Sequence, residues 1–117
     1  MAKQEYRFKG DFRTVLDMIH NGILKGSISA SFEDGSDIQI GNTRCAVRVY
    51  ERYSLIGSNR VSLNVTLLGD GDNLFLTAIT SGGSQAVFFK INTFGEESFL
   101  NALTRIIEDY KRSFKRV

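Results

Sequence analysis

The chain of 117 residues has no proline and no tryptophan, and it has one cysteine and one histidine. A single thiol, Cys45, excludes an internal disulfide and fits a reducing compartment, so a cytoplasmic setting is expected. One histidine and one cysteine, His20 and Cys45, lie on separate segments and do not make a zinc-type ligand set. No metal and no cofactor is expected. No apolar run approaches the ~20 residues that cross a bilayer, and Met1–Glu5 carry no apolar leader, so no membrane span is expected. Fifteen basic and thirteen acidic residues give a net charge of only +2, too little to argue for nucleic acid on charge alone. Without proline, the turns fall to glycine and asparagine.

What is present is an ordered series of periodic segments. Tyr6 and Phe8 alternate with Arg7 and Lys9 as a short strand, ended by Gly10. Asp11 then caps a helix whose apolar stripe is Phe12, Val15, Leu16 and Ile19. Asn21-Gly22 is expected to end or kink that helix, and Ile23 and Leu24 could add a further short turn before Gly26. After Gly26 the period changes to two. Ile28, Ala30 and Phe32 alternate with serines, Glu33–Ser36 reads as a turn, and Ile38 and Ile40 continue to Gly41-Asn42. Cys45, Val47 and Val49 alternate with Arg44, Ala46, Arg48 and Tyr50, and the more apolar set is assigned to the core. Val61, Leu63, Val65 and Leu67 give the cleanest alternation. Strands over 74–80 and 85–91 follow, joined by Ser81-Gly82-Gly83-Ser84. Short connections make this an antiparallel meander. Thr93 and Glu96 have capping-box spacing, with Gly95 as a rival cap. Phe99, Leu103, Ile106 and Tyr110 then form the stripe of a long closing helix. It has only the sheet to pack on, so it is expected to lie along one sheet face.

The expected fold is therefore α+β, a β-α-β6-α meander of about six to seven strands on a long C-terminal helix. It forms one domain over 1–117 with an ordered core of about 5–114. This order of elements resembles the helix-grip architecture of the START, polyketide-cyclase and plant pathogenesis-related allergen families, and also a TATA-binding-protein-like sheet. The resemblance covers residues 5–114 by topology and brings no catalytic motif. It implies a curved sheet around the last helix, often with an apolar cavity between them. The chain also resembles short bacterial proteins of a family of unknown function.

The candidate sites follow from these placements. Arg44, Arg48 and Arg52 are four apart and share one strand face with Ala46 and Tyr50. They could bind a phosphate, a carboxylate or an RNA backbone with Tyr50 stacking on a base, or be a solvated outer face. The latter is the plainer reading. Gly69-Asp70-Gly71-Asp72-Asn73 offers oxygens that calcium favours but lacks the EF-hand spacing, and it reads as a hairpin turn. His20 has Asp17 three residues before it but no nucleophile to serve. It reads as a histidine at a helix C-terminus. Cys45 reads as a buried, inert thiol. The basic tail of Lys111, Arg112, Lys115 and Arg116 reads as a solvated helix end. An apolar pocket could be lined by Phe12, Phe32, Phe75, Phe88, Phe99, Leu103, Ile106 and Tyr110, or those residues could fill a solid core. Phe88-Phe89, Leu67-Leu68 and Leu74-Phe75-Leu76 put apolar side chains on both sheet faces, which hints at a homodimer through the sheet or its edge.

Three function classes remain. The first is a cytosolic domain holding a small apolar or amphipathic ligand between the sheet and the last helix. The second is a solid-cored interaction or homo-oligomerisation domain. The third is an enzyme or nucleic-acid binder using the arginine face. With no catalytic pairing visible, the balance lies against an enzyme.

Overall fold

The computed structural model describes residues 1–26, 29–54, 59–82 and 89–115. Its elements are β1 (Ala2–Lys9), α1 (Phe12–Gly26), β2 (Ser31–Ile40), β3 (Thr43–Ser54), β4 (Asn59–Asp70), β5 (Asn73–Gly82) and α2 (Phe89–Lys115). The fold is α+β. Five antiparallel strands in the order β1-β5-β4-β3-β2 form one sheet. α2 lies against β1, β5 and β4, and α1 packs beside it against β4.

The first junction forms as expected. The Asp11 carboxylate accepts the Thr14 backbone N–H at 2.9 Å and the Thr14 hydroxyl at 2.7 Å, capping α1. These bonds, the backbone one foremost, hold the Asp11 carboxyl below its usual range. Phe12, Val15, Leu16, Ile19 and Ile23 are all buried. The helix does not stop at Asn21-Gly22. It continues to Gly26, and a Cβ on Gly22 would meet Ile106 Cδ1 at 2.5 Å. Gly22 is there to let two helices approach closely, not to end one.

The sheet has five strands rather than six or seven, for two reasons. Glu33–Ser36 is not a turn. β2 runs straight through it, paired to the long β3, and a register shift between Phe32 and Asp34 absorbs one residue. That shift also reverses the phase, so Phe32 faces α1 while Ile38 and Ile40 face the other side. Second, among the described residues no strand follows β5 into the sheet. β5 already lies between β1 and β4, so a hairpin partner would find no open edge. Phe89–Ile91, read as the end of a strand, are the first turn of α2, which starts ahead of Thr93 and Gly95. Residues 85–88 of that expected strand lie outside the described residues. The two tight hairpins at Gly41-Asn42 and Gly71-Asp72 form as expected, each with glycine at positive φ, +60° and +61°.

The core lies between the sheet and the helices. Val61, Leu63, Val65 and Leu67 of β4, Leu74, Leu76 and Ala78 of β5, and Leu100, Leu103, Ile107 and Tyr110 of α2 are buried in one cluster with the α1 stripe.

Candidate functional site

The sheet has a helix face and an open face, and β3 divides between them in the opposite sense to the sequence reading. Ala46 pairs with Leu67 and Tyr50 with Leu63, so register with β4 carries the arginine-bearing set inward. Tyr50 is fully buried. Cys45, Val47 and Val49 are half-buried on the open side. Alternation alone cannot assign the face, since both sets contain apolar residues. Pairing with β4 settles it.

Arg44, Arg48 and Arg52 share the helix face, and the head groups of Arg44 and Arg48 are engaged within the chain. The Arg44 guanidinium stacks on the Phe12 ring at 4.3 Å. Arg48 pairs with Asp37 at 3.1 Å and donates to the Val47 carbonyl at 2.9 Å. Its stem passes over Gly35, where a Cβ would meet Arg48 Cδ at 3.0 Å. Burial lowers the Arg52 pKa from its ordinary value. Tyr50 does not stack on anything from solvent. Its hydroxyl meets His20 Nδ1 at 3.0 Å, and its ring and that of Phe32 both lie beside the imidazole. Burial pushes the Tyr50 phenol up to about 12, with Arg48 opposing. His20 is mid-helix, not at a C-terminus, because α1 runs on to Gly26.

The residues expected to line a pocket do not meet in one place. Phe12, Leu103 and Tyr110 are core residues. Tyr110 lies against Gly10 and its hydroxyl accepts the Asp11 backbone N–H at 3.0 Å. Ile106 packs on Gly22, and Phe32 is at the rim beside His20. Phe75 is on the opposite face, because Leu74, Leu76 and Ala78 take the inward positions of β5. Phe88 and the side chain of Phe99 lie outside the described residues. A polar cluster absent from the sequence reading fastens β1 to α2: the Tyr6 and Thr104 hydroxyls both donate to Gln4 Oε1, at 2.5 and 2.6 Å. Its one sequence signal is that Gln4 shares the inward phase of Tyr6 and Phe8. The depressions of about 520 Å³ between α1 and α2 and about 310 Å³ between β1 and α2 are open to solvent. Among the described residues, no group of three His, Cys, Asp or Glu side chains could hold a metal ion, and no helix is long and apolar enough to cross a membrane.

No described helix packs on the open face, where the Arg7 guanidinium lies over the Phe75 ring at 4.9 Å. Cross-strand register lines up Arg7, Phe75, Leu68, Cys45 and Ile38 in one row across all five strands. Four of these five are apolar or weakly polar. Val47, Val49 and Ile79 extend the patch on one side and Ile40 on the other. Ile38 is 56% exposed, Ile40 76% and Leu68 40%. By contrast the two sheet edges carry charge. β1 has Lys3, Glu5, Arg7 and Lys9, and β2 has Glu33, Asp34 and Asp37 next to its irregularity.

Residues 1–111 match the model of a family of unknown function, DUF6054, and the chain belongs to that family. No curated protein matches it.

Proposed function

We propose that this member of the DUF6054 family is a solid-cored homo-oligomerisation domain that works by burying the open face of its sheet against a second copy of itself. The observation that carries this reading is the apolar row from Phe75, with Arg7 over its ring, through Leu68 and Cys45 to the exposed Ile38. A sheet is stable in water when one face is packed and the other is polar. Here the second face carries a contiguous apolar stripe, of the kind that marks an interaction surface.

Of two further points, one favours a face over an edge and the other is that a second copy is large enough to cover it. Charged edges and a bulge oppose edge-to-edge strand pairing. At ordinary strand spacing and rise, five strands by eight residues present about 600 Å² per copy. Two such faces bury about 1,200 Å², the lower bound of a specific interface. The reading in which an apolar ligand sits between the sheet and α2 has less to rest on, because Leu103, Ile107 and Leu63 there are fully buried in one packed cluster. Anion binding by Arg44, Arg48 and Arg52 is likewise less supported, with Arg44 on Phe12 and Arg48 on Asp37.

We further propose that the fold is a reduced helix-grip, two strands short. The sheet order β1-β5-β4-β3-β2 under a terminal helix supports this. A half-exposed lone thiol suits a reducing, cytoplasmic setting.

Native mass spectrometry of freshly purified protein tests the functional reading. A mass of twice the chain with no adduct is expected. A monomer retaining an added mass of a few hundred daltons would instead favour the ligand-holding reading.

A further inference from the structure

We infer, resting on the homodimer reading above, that the two copies are related by a two-fold axis running along β4, with Ile38 and Ile40 of each copy seated in a hollow beside Phe75 and Leu68 of the other.

The relief of the open face points to this axis. Two adjacent rows of the sheet are Arg7–Phe75–Leu68–Cys45–Ile38 and Lys9–Asn73–Asp70–Thr43–Ile40. At the β2 end of both rows stand the most exposed apolar side chains of the face, Ile38 and Ile40. A depression of about 550 Å³ runs in from the β1–β5 end, lined there by Arg7, Lys9, Asn73 and Phe75 and reaching Leu68 and Asp70 of β4 and Thr43 of β3. Ridge and hollow therefore share the same two rows, the ridge on β2 and the hollow running from β1 across β5 to the central strand, β4, and the edge of β3. Rotation by half a turn about a line along β4 keeps each row in place and exchanges its ends. The ridge of each copy then lies over the hollow of the other, twice, and Leu68 meets its own counterpart on the axis.

Charge selects the same axis. β1 is predominantly basic, with Lys3, Arg7 and Lys9 against Glu5. β2 has Glu33 and Asp34 at its irregularity and no basic residue, while its Asp37 lies on the helix face, paired with Arg48. An axis across the strands would stack β1 on the partner's β1 and bring like charges together, which is destabilising. An axis along β4 stacks β1 on the partner's β2. It also matches the aligned packing that face-to-face sheets adopt, and an isologous contact of this kind closes at two copies.

The test exploits Arg7 and Ile38, which this axis makes neighbours between copies. Within one chain they lie on the two outer strands, about 19 Å apart at ordinary strand spacing, beyond the reach of a screened exposed pair. Ile38→Glu and Ile38→Lys are each compared in the wild-type and Arg7→Glu backgrounds, by sedimentation at low salt, with thermal melts confirming that all four fold. With Arg7 present, the Ile38→Glu dimer should be tighter than the Ile38→Lys dimer by roughly five- to tenfold in dissociation constant, from two symmetric exposed pairs. In the Arg7→Glu background the order should reverse. Dimers that form but show no reversal overturn this arrangement and leave the homodimer reading standing. A wild-type chain that stays monomeric overturns both.

Discussion

The Tyr50 hydroxyl and Nδ1 of His20 lie 3.0 Å apart, joining the inner face of β3 to α1 through the one histidine of the chain. The bond closes the helix face at the flank that α2 does not reach. It also provides the buried hydroxyl with a partner, without which its burial would cost stability.

Tyr50→Phe should therefore lower stability by about 0.5–1.5 kcal/mol at neutral pH, read from urea midpoints. The same substitution should flatten the alkaline limb. The folded phenol is pushed up to about 12, from an ordinary 10.0. Below pH 10 both folded and unfolded chains keep the proton and the contribution is complete. Between 10 and 12 the unfolded chain releases it and the folded chain does not. Stability is thus lost as pH rises, at up to about 1.4 kcal/mol per pH unit from this group. Equal alkaline slopes in wild type and Tyr50→Phe would contradict the burial of this phenol.

Gly10 and Tyr110 make the second tie. A Cβ at Gly10 would fall 2.6–3.0 Å from the Tyr110 ring and hydroxyl. Gly10→Ala should displace that ring, break its bond to the Asp11 N–H and cost about 1–3 kcal/mol. A chemical-denaturation midpoint unchanged from wild type would show that the ring has room to move.

Much of this architecture is legible in the sequence, and the failures have physical causes. The Asp11 cap, the α1 stripe and the two glycine hairpins depend on neighbours in the chain, so local pattern finds them. The face of β3, the straight path of β2 and the end of the sheet at β5 depend on which strands meet. Arg44, Ala46, Arg48 and Tyr50 read as an outer set until pairing with Leu67 and Leu63 turns them inward. A strand after β5 reads plausibly until β1 is found to occupy that edge. The candidate interaction surface was foreshadowed by Leu68 and Phe75, which break the polar phase of their strands. The row they form with Cys45 and Ile38 required the register.

The closing helix should be indispensable. Leu100, Leu103, Ile107 and Tyr110 are buried, each side chain contributing about 1.5–3 kcal/mol of burial before entropy. Leu103→Ala should cost about 2–5 kcal/mol. Truncation at Gly95 should abolish cooperative unfolding, as followed by circular dichroism. A soluble, cooperatively folded truncation would contradict the packing of α2 on the sheet.

Cys45 gives a direct view of the open face. Its thiol is half-buried in one copy and would be covered in the proposed dimer. Maleimide labelling should slow as protein concentration rises, and in Leu68→Asp it should be fast at every concentration. Across the inferred axis, two Cys45 residues would be about 14 Å apart at ordinary strand and sheet spacings. That is beyond the reach of a disulfide. Efficient cross-linking of copies through Cys45 on mild oxidation would contradict the axis along β4.

Sedimentation equilibrium of the full chain beside Leu68→Asp tests the central claim most directly. Leu68 is 40% exposed on the open face, so the substitution should leave the core intact and would set two carboxylates against each other on the proposed axis. Wild type should be dimeric at micromolar concentration and Leu68→Asp monomeric with an unchanged circular dichroism spectrum. A wild-type chain that is monomeric up to the highest soluble concentration, or a variant that dimerises equally well, would contradict an open sheet face covered by a second copy.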